Sequence, residues 1–169
     1  MASFSHSHPR RFFSGLTEHT FLQKMGFADP QITDYLASLL IRFLHVEQIY
    51  RLYNTKGERL EEVADMVIEA EGLPSEGRTR REVHRHIGDY TLFWTGLFPE
   101  AVSKRRSKLS KDQFIDYCEQ GKRSYFIAST FEDEPYEEEA PVLRQLSEQF
   151  ELCAFGLREV RREWEAEVA

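Results

Sequence analysis

Apolar residues recur along nearly the whole chain at intervals of three and four, the spacing of helices that bury one face. The strict alternation of apolar and polar residues that is typical of strands is not sustained in any segment. The pattern therefore predicts an all-α fold, a single-domain bundle of about six or seven mostly antiparallel helices joined by short loops. We expect residues 14–169 to form this bundle and residues 1–13 to form a flexible N-terminal tail.

Two predicted helices carry the longest apolar stripes. The first has Asp29 as its N-cap and Pro30 in its first turn, and its stripe continues to Tyr50. The second is the last helix of the chain, whose stripe keeps a heptad spacing. We expect the first to be central and to pack against the second, although the end of the second could instead form a dimer contact. The stripe of the last helix contains Leu143, Leu146, Phe150, Cys153, Leu157, Val160 and Trp164.

The remaining helices are predicted over residues 16–25, 58–70 and 78–97, in a short segment after Pro99, and over residues 110–126. Gly26 is placed to end the first of these, because a helix often ends at a residue with positive φ. Ser110 and Gln113 form a capping-box pattern for the last. Gly121 lies inside that helix at a cost of about 1 kcal/mol relative to Ala. We therefore expect a kink or a close helix contact at Gly121.

The net charge of −7 changes the range of plausible partners. An acidic chain does not attract nucleic acid unless it carries a segregated basic patch. The only candidate is the run from Lys104 to Lys108, which is short and has no interleaved aromatic residues. We interpret this basic run as a solvated helix end and expect no nucleic-acid partner.

Cysteine content and hydropathy bear on the location of the protein. Cys118 and Cys153 have neither metal-binding spacing nor a disulfide pattern, and both fall on apolar helix faces, as is typical of free thiols in a reducing compartment. No window of 18 residues is apolar enough to span a membrane. We expect a cytoplasmic protein without a membrane partner.

The segment around residue 86 contains the candidate polar site. His86, Asp89 and Tyr90 are three and four residues apart, so they share one helix face. Asp89 could orient the imidazole while Tyr90 exchanges a proton, although a local hydrogen bond at the edge of the apolar stripe is the simpler interpretation. Glu47 from another helix could join His86 and Asp89 around a metal. Since the Glu-x-x-His pairs of helical metal sites are missing, we expect no metal and no other cofactor.

No nucleophile motif or phosphate-binding loop occurs in the sequence. The chain does contain 13 Phe, 7 Tyr and 2 Trp, which favours a bulky core or an aromatic-lined surface. These observations favour a helical protein-interaction module that binds a partner protein or a second copy of itself. The alternative is an enzyme or a ligand- or metal-binding bundle with its polar site around His86, Asp89 and Tyr90.

Overall fold

The computed structural model describes residues 9–105 and 110–168, and within them it confirms the all-α bundle. These residues form nine α-helices and one 3-10 helix, and a single β-bridge joins Tyr53 to Arg59. The helices are α1 (Pro9–Met25), α2 (Pro30–Arg42), α3 (Val46–Ile49), α4 (Val63–Glu71), α5 (Arg78–Leu97), α6 (Pro99–Arg105), the 3-10 helix η1 (Lys111–Phe114), α7 (Tyr117–Ser129), α8 (Ala140–Glu148) and α9 (Phe150–Val168).

Helix α5 is the centre of the bundle, and it has the bounds that the sequence predicts. It packs against α2, α4, α6, α7 and α9. Two glycines permit this close packing. A Cβ on Gly88 would lie 2.5 Å from the ring of Tyr125, and one on Gly96 would lie 2.8 Å from the Cβ of Leu157. The expectation that the helix after Pro30 is central was wrong, because that helix is shorter and packs mainly against α1.

The predicted helix through Tyr50 is in fact two helices. Its start is confirmed, since Asp29 Oδ1 accepts a hydrogen bond from the backbone N–H of Gln31 at 3.1 Å. Helix α2 then ends at Arg42, and α3 begins at Val46. Phe43, at the C-terminal end of α2, packs in the core against Phe93, with ring centroids 5.0 Å apart, whereas Val46 after the break is exposed. The predicted stripe is therefore core as far as Phe43 and is interrupted beyond it.

The last predicted helix is also divided, at Gln149, into α8 and α9. The expected packing of this whole helix against the second was wrong: α8 contacts α2 and α7, whereas α9 lies against α5 and α1. Phe150 and Leu157 are completely buried, which confirms that this part of the stripe is core. Trp164 is 39% exposed and makes an edge-on contact with Phe13.

Three other boundaries differ from the predictions. Helix α1 begins at Pro9 with Phe13 buried, so residues 9–13 belong to the bundle, and residues 1–8 of the predicted tail lie outside the described residues. Helix α4 begins at Val63 because the carboxylate of Asp112 accepts hydrogen bonds from the backbone N–H groups of Val63 and Ala64, at 3.0 and 2.8 Å. The helix predicted over 110–126 is η1 followed by α7.

Two features near helix ends agree with the sequence. Gly26 ends α1 with a φ of 63°, in the left-handed region that favours glycine. Pro99 opens the short helix α6, although residues 106–108 of the basic run lie outside the described residues. Within the described part of the chain, no helix combines the length and apolar character needed to cross a membrane.

The close helix contact expected at Gly121 is present, and it can be tested by adding one methyl group. A Cβ on Gly121 would overlap the ring of Phe150 and the hydroxyl of Thr91. We predict that Gly121→Ala lowers the free energy of unfolding by about 1–3 kcal/mol, measured by urea denaturation. Gly15→Ala is the matched control, because its methyl group would meet no atom within 4 Å. It should raise stability by up to about 1 kcal/mol. Equal shifts in the two variants would contradict the close contact.

Candidate functional site

The structure places His86, Asp89 and Tyr90 side by side on α5, but each is buried and bonds to a different group. The Nε2 atom of His86 lies 3.0 Å from the backbone carbonyl oxygen of Ile49, so Nε2 carries the proton and donates it. The hydroxyl of Tyr90 donates to the carbonyl oxygen of Glu61 at 2.7 Å. At 2%, 0% and 0% exposure, the three side chains are out of reach of a substrate in this conformation.

Asp89 is the hub of a buried polar network that joins three helices. Its Oδ1 atom accepts hydrogen bonds from the hydroxyls of Tyr35 on α2 and Tyr125 on α7, at 2.7 and 2.6 Å. Its Oδ2 atom pairs with the guanidinium of Arg42 at 3.0 Å and lies 3.7 Å from that of Arg85. We call these five residues the Asp89 network. A buried carboxylate is tolerated when it is paired and hydrogen-bonded in this way.

The charges of the Asp89 network stabilise its ionised carboxylate. Burial would raise the pKa of Asp89, but the positive charges of Arg42 and Arg85 and the two tyrosine hydrogen bonds outweigh it and lower that pKa below its ordinary value. Burial, reinforced by the negative charge of Asp89, raises the pKa of Tyr35 and that of Tyr125 well above 10. Both tyrosines therefore remain hydrogen-bond donors at neutral pH, and Asp89 remains an acceptor.

The Asp89 network continues to the N-terminal end of α8 through Glu139. Glu139 Oε1 accepts hydrogen bonds from Arg85 Nε at 2.6 Å and from Arg81 Nη2 at 2.8 Å. The guanidinium of Arg81 in turn lies 4.1 Å from the ring centroid of Tyr136, in the loop before α8. A series of side-chain contacts, from Asp89 through Arg85, Glu139 and Arg81 to Tyr136, therefore attaches this loop to α5.

The second histidine of α5 is also buried. Nδ1 of His84 lies 3.1 Å from the hydroxyl oxygen of Ser124. Burial, followed by the charge of Arg80, lowers the pKa of His84 to about 4. Burial also lowers the pKa of His86 to about 4, against the opposing effect of Asp89. Both imidazoles are therefore neutral at pH 7, and neither is paired with a carboxylate.

The structure brings Asp89 together with partners that the sequence analysis missed and separates it from Glu47. Glu47 lies exposed on α3. No group of three histidine, cysteine or acidic side chains within residues 9–105 and 110–168 is arranged to hold a metal ion. No local pattern marks Tyr35 or Tyr125 as partners, because they lie 54 and 36 residues from Asp89.

An accessible cavity lies beside Tyr136 and the N-terminal end of α5. We call it the acidic groove. It has a volume of about 530 Å³, within the range of ligand-binding clefts. Arg78 and Tyr136 fix one wall, since Arg78 Nε donates to the Tyr136 hydroxyl at 2.7 Å. The lining consists of Ser75, Glu76, Arg78, Thr130, Phe131, Glu132, Asp133, Glu134, Pro135 and Tyr136.

The carboxylates of the acidic groove have no cationic partners among the residues that the structure describes. Glu76, Glu132, Asp133 and Glu134 are all exposed, and none forms an ion pair within 4.0 Å with any residue that the structure describes. Arg78 is the one cation in the lining as described, and it is engaged by Tyr136. The described lining of the acidic groove therefore has a net negative charge, with four carboxylates and the one guanidinium of Arg78.

A second cavity of about 300 Å³ shares Glu132 with the acidic groove. Glu137 and Arg144 contribute to its lining, and Arg144 is already bonded to the hydroxyl of Ser129 at 2.8 Å. The acidic surface thus continues from the groove past Glu132 to Glu137.

Comparison of the chain with protein families, curated proteins and solved structures gives no match. Function is therefore inferred from the geometry of the two sites alone.

The structural role of Asp89 can be measured with an isosteric substitution. Asp89→Asn retains the side-chain shape but removes the charge that faces Arg42 and Arg85. We predict a loss of about 3–5 kcal/mol in the free energy of unfolding at pH 7, because the partly buried guanidinium of Arg42 loses its carboxylate partner whereas Arg85 keeps Glu139. Glu47→Gln removes an exposed charge and should change stability by less than about 0.5 kcal/mol. A small effect at both positions would show that Asp89 does not hold the bundle together.

The two neutral histidines predict acid sensitivity. Their pKa values of about 4 in the folded chain lie below the ordinary value of 6.5, so the unfolded chain binds more protons between these pH values. Their stabilising effect is complete above pH 6.5 and decreases as the pH falls from 6.5 towards 4. Urea denaturation at pH 7 and pH 5 should show a loss of about 2 kcal/mol per histidine.

The control for this pH dependence is the double variant His84→Gln/His86→Gln. It should lose much less stability than the natural chain between pH 7 and pH 5. If it loses as much, groups other than these histidines cause the acid sensitivity.

Proposed function

We propose that this chain is a helical protein-interaction module whose acidic groove binds a basic segment of a partner protein. The observation that carries the proposal is the cavity of about 530 Å³ lined by four exposed carboxylates, none of which pairs with a cation in the described part of the chain. A Lys- or Arg-rich segment supplies the charge that these carboxylates lack. Such complementarity increases both the rate and the specificity of association.

The aromatic residues of the acidic groove suit the same occupant. Phe131 and Tyr136 are half-buried and line the cavity beside the carboxylates. Aromatic rings bind the long aliphatic stems and charged ends of lysine and arginine. The Tyr136 ring already carries Arg81 and Arg78 of this chain, 4.1 and 5.6 Å from its centroid, so Phe131 is the ring that would contact a partner's basic side chain.

The chemistry of the groove favours binding over catalysis. Its four carboxylates are all exposed, so they lack the water-excluded setting in which a carboxylate acts as a general acid or base, and its lining as described has no histidine or cysteine. Its carboxylates repel phosphate groups, which disfavours nucleic acid as the occupant. The polar cluster of α5 supports the alternative of an enzyme less well, because His86, Asp89 and Tyr90 are buried within hydrogen bonds of their own.

The proposal places the module in the cytoplasm. Its support is the state of the two cysteines, both of which are free thiols. Burial raises the pKa of Cys118 to about 11 and that of Cys153 to about 12, so both remain protonated and weakly reactive. Free, unreactive thiols are typical of proteins in a reducing compartment.

Binding of a basic peptide tests the proposal directly. We expect a fluorescent octapeptide of alternating lysine and glycine to bind the natural chain at low salt and to dissociate at high salt. The triple variant Glu132→Gln/Asp133→Asn/Glu134→Gln should weaken binding about tenfold or more, since each lost charge contact contributes up to about 1 kcal/mol.

A matched control separates the groove from net charge. Glu18→Gln/Glu47→Gln/Glu167→Gln removes the same number of exposed carboxylates elsewhere on the surface. It should change the dissociation constant by less than about threefold. Equal weakening by the two triple variants would contradict the groove as the binding site.

A further inference from the structure

The cavity of about 300 Å³ that adjoins the acidic groove differs from the groove in its charges. It lies beside the start of α8, and Arg144 in the second turn of that helix adds a guanidinium to its wall. Glu132 and Glu137, in the loop between α7 and α8, contribute carboxylates. We call this space the mixed-charge cavity. Its described lining consists of Ser129, Glu132, Glu137, Ala140, Pro141 and Arg144.

Two contacts with α7 fix the guanidinium of Arg144. Its Nε atom donates a hydrogen bond to the Ser129 hydroxyl oxygen at 2.8 Å, and its Cζ atom lies 4.5 Å from the ring centroid of Phe126. Ser129 is 1% exposed, and its hydroxyl donates to the Phe126 carbonyl oxygen at 2.6 Å, so its oxygen is held in place as the acceptor for Arg144. Nη1 and Nη2 of Arg144 have no hydrogen-bond partner among the described residues. Such a pair of N–H groups binds a carboxylate through two parallel hydrogen bonds.

The opposite charges of the mixed-charge cavity do not neutralise one another. Glu132 and Glu137 are exposed, and neither forms an ion pair within 4.0 Å with Arg144 or with another cation in the described part of the chain. The contacts with Ser129 and Phe126 hold the guanidinium on α7, so charges of both signs line one space without closing it. A ligand that carries its own positive and negative groups supplies the partners that all three side chains lack.

We infer that the mixed-charge cavity binds a free basic amino acid of the lysine type. The carboxylate of the ligand pairs with Nη1 and Nη2 of Arg144, and its two ammonium groups pair with Glu132 and Glu137. The two carboxylates and one guanidinium of the described lining match the two ammonium groups and one carboxylate of such a molecule. This inference does not rest on the proposed function, because Arg144 and Glu137 are not part of the acidic groove.

The size and the apolar part of the mixed-charge cavity fit the same ligand. A volume of about 300 Å³ is at the lower end of the range for ligand-binding clefts, which favours a molecule of amino-acid size over a larger one. The exposed ring of Pro141 offers an apolar surface between the charged groups. The methylene chain of a lysine packs on such a surface while its charged ends remain in polar surroundings.

Titration with L-lysine and with L-lysinamide, which lacks the carboxylate, tests this assignment. Dissociation constants are measured by NMR at low salt from the amide shifts of residues 129–144. Arg144→Gln should weaken lysine binding about fivefold and should not weaken lysinamide binding, since only lysine loses a charged partner. Glu137→Gln should weaken the binding of both ligands. Arg51→Gln, which removes an exposed arginine elsewhere, should change neither constant by more than about twofold.

The comparison of the two ligands separates a lost contact from a damaged fold. If Arg144→Gln only disturbed the packing of α8 on α7, it would weaken lysine and lysinamide binding alike, and the inference would be wrong. It is also overturned if lysine shows no saturable binding to the natural chain or if Arg144→Gln leaves lysine binding unchanged. Glycine is the last probe, because it has a carboxylate but only one ammonium group. If glycine binds as tightly as lysine, the cavity does not recognise a basic amino acid.

Discussion

The centre of the bundle is organised around one buried carboxylate, that of Asp89. Removing an ion from water costs several kcal/mol, so this charge is stable only where its partners converge from other parts of the chain. Tyr35, Tyr125 and Arg42 provide that convergence from α2 and α7. Apolar packing alone would accept many small shifts of these helices. The geometry of the Asp89 network tolerates few such shifts of the helices. It therefore determines how α2 and α7 pack on α5.

The same network is connected to the loop that forms the proposed binding surface. Arg85 contacts Asp89 on one side and Glu139 on the other, and Arg81 connects Glu139 to Tyr136. The loop that forms the acidic groove is thereby attached to the rigid centre of the bundle. A binding surface built on a loop is more selective when side-chain contacts fix that loop in advance. Buried charge and exposed charge have separate roles here: one holds helices together, and the other remains available for a partner.

The sequence predicted helix bounds best where the apolar stripe and the residues at the helix ends agreed. Helix α5 has a clear apolar stripe between Gly77 and Pro99, and its bounds were predicted correctly. Helix breaks at residues 43–45 and at Gln149 were missed, because the heptad spacing continues through both and only tertiary packing interrupts it. Asp89 was identified from its helical neighbours, but three of its four partners, Tyr35, Arg42 and Tyr125, are distant in sequence. The acidic groove depends on the arrangement of a loop, which no periodicity describes.

The most direct test of this account is to locate a bound basic peptide residue by residue. In an NMR titration of the isotope-labelled chain with the lysine–glycine octapeptide, the account predicts that amide shifts change in residues 75–78 and 130–137. The amides of His86, Asp89 and Tyr90 should remain unperturbed, because these three residues are buried and do not line the acidic groove. Shift changes centred on these three residues, with none around Glu132 and Asp133, would contradict the account and identify the core of α5 as the functional site.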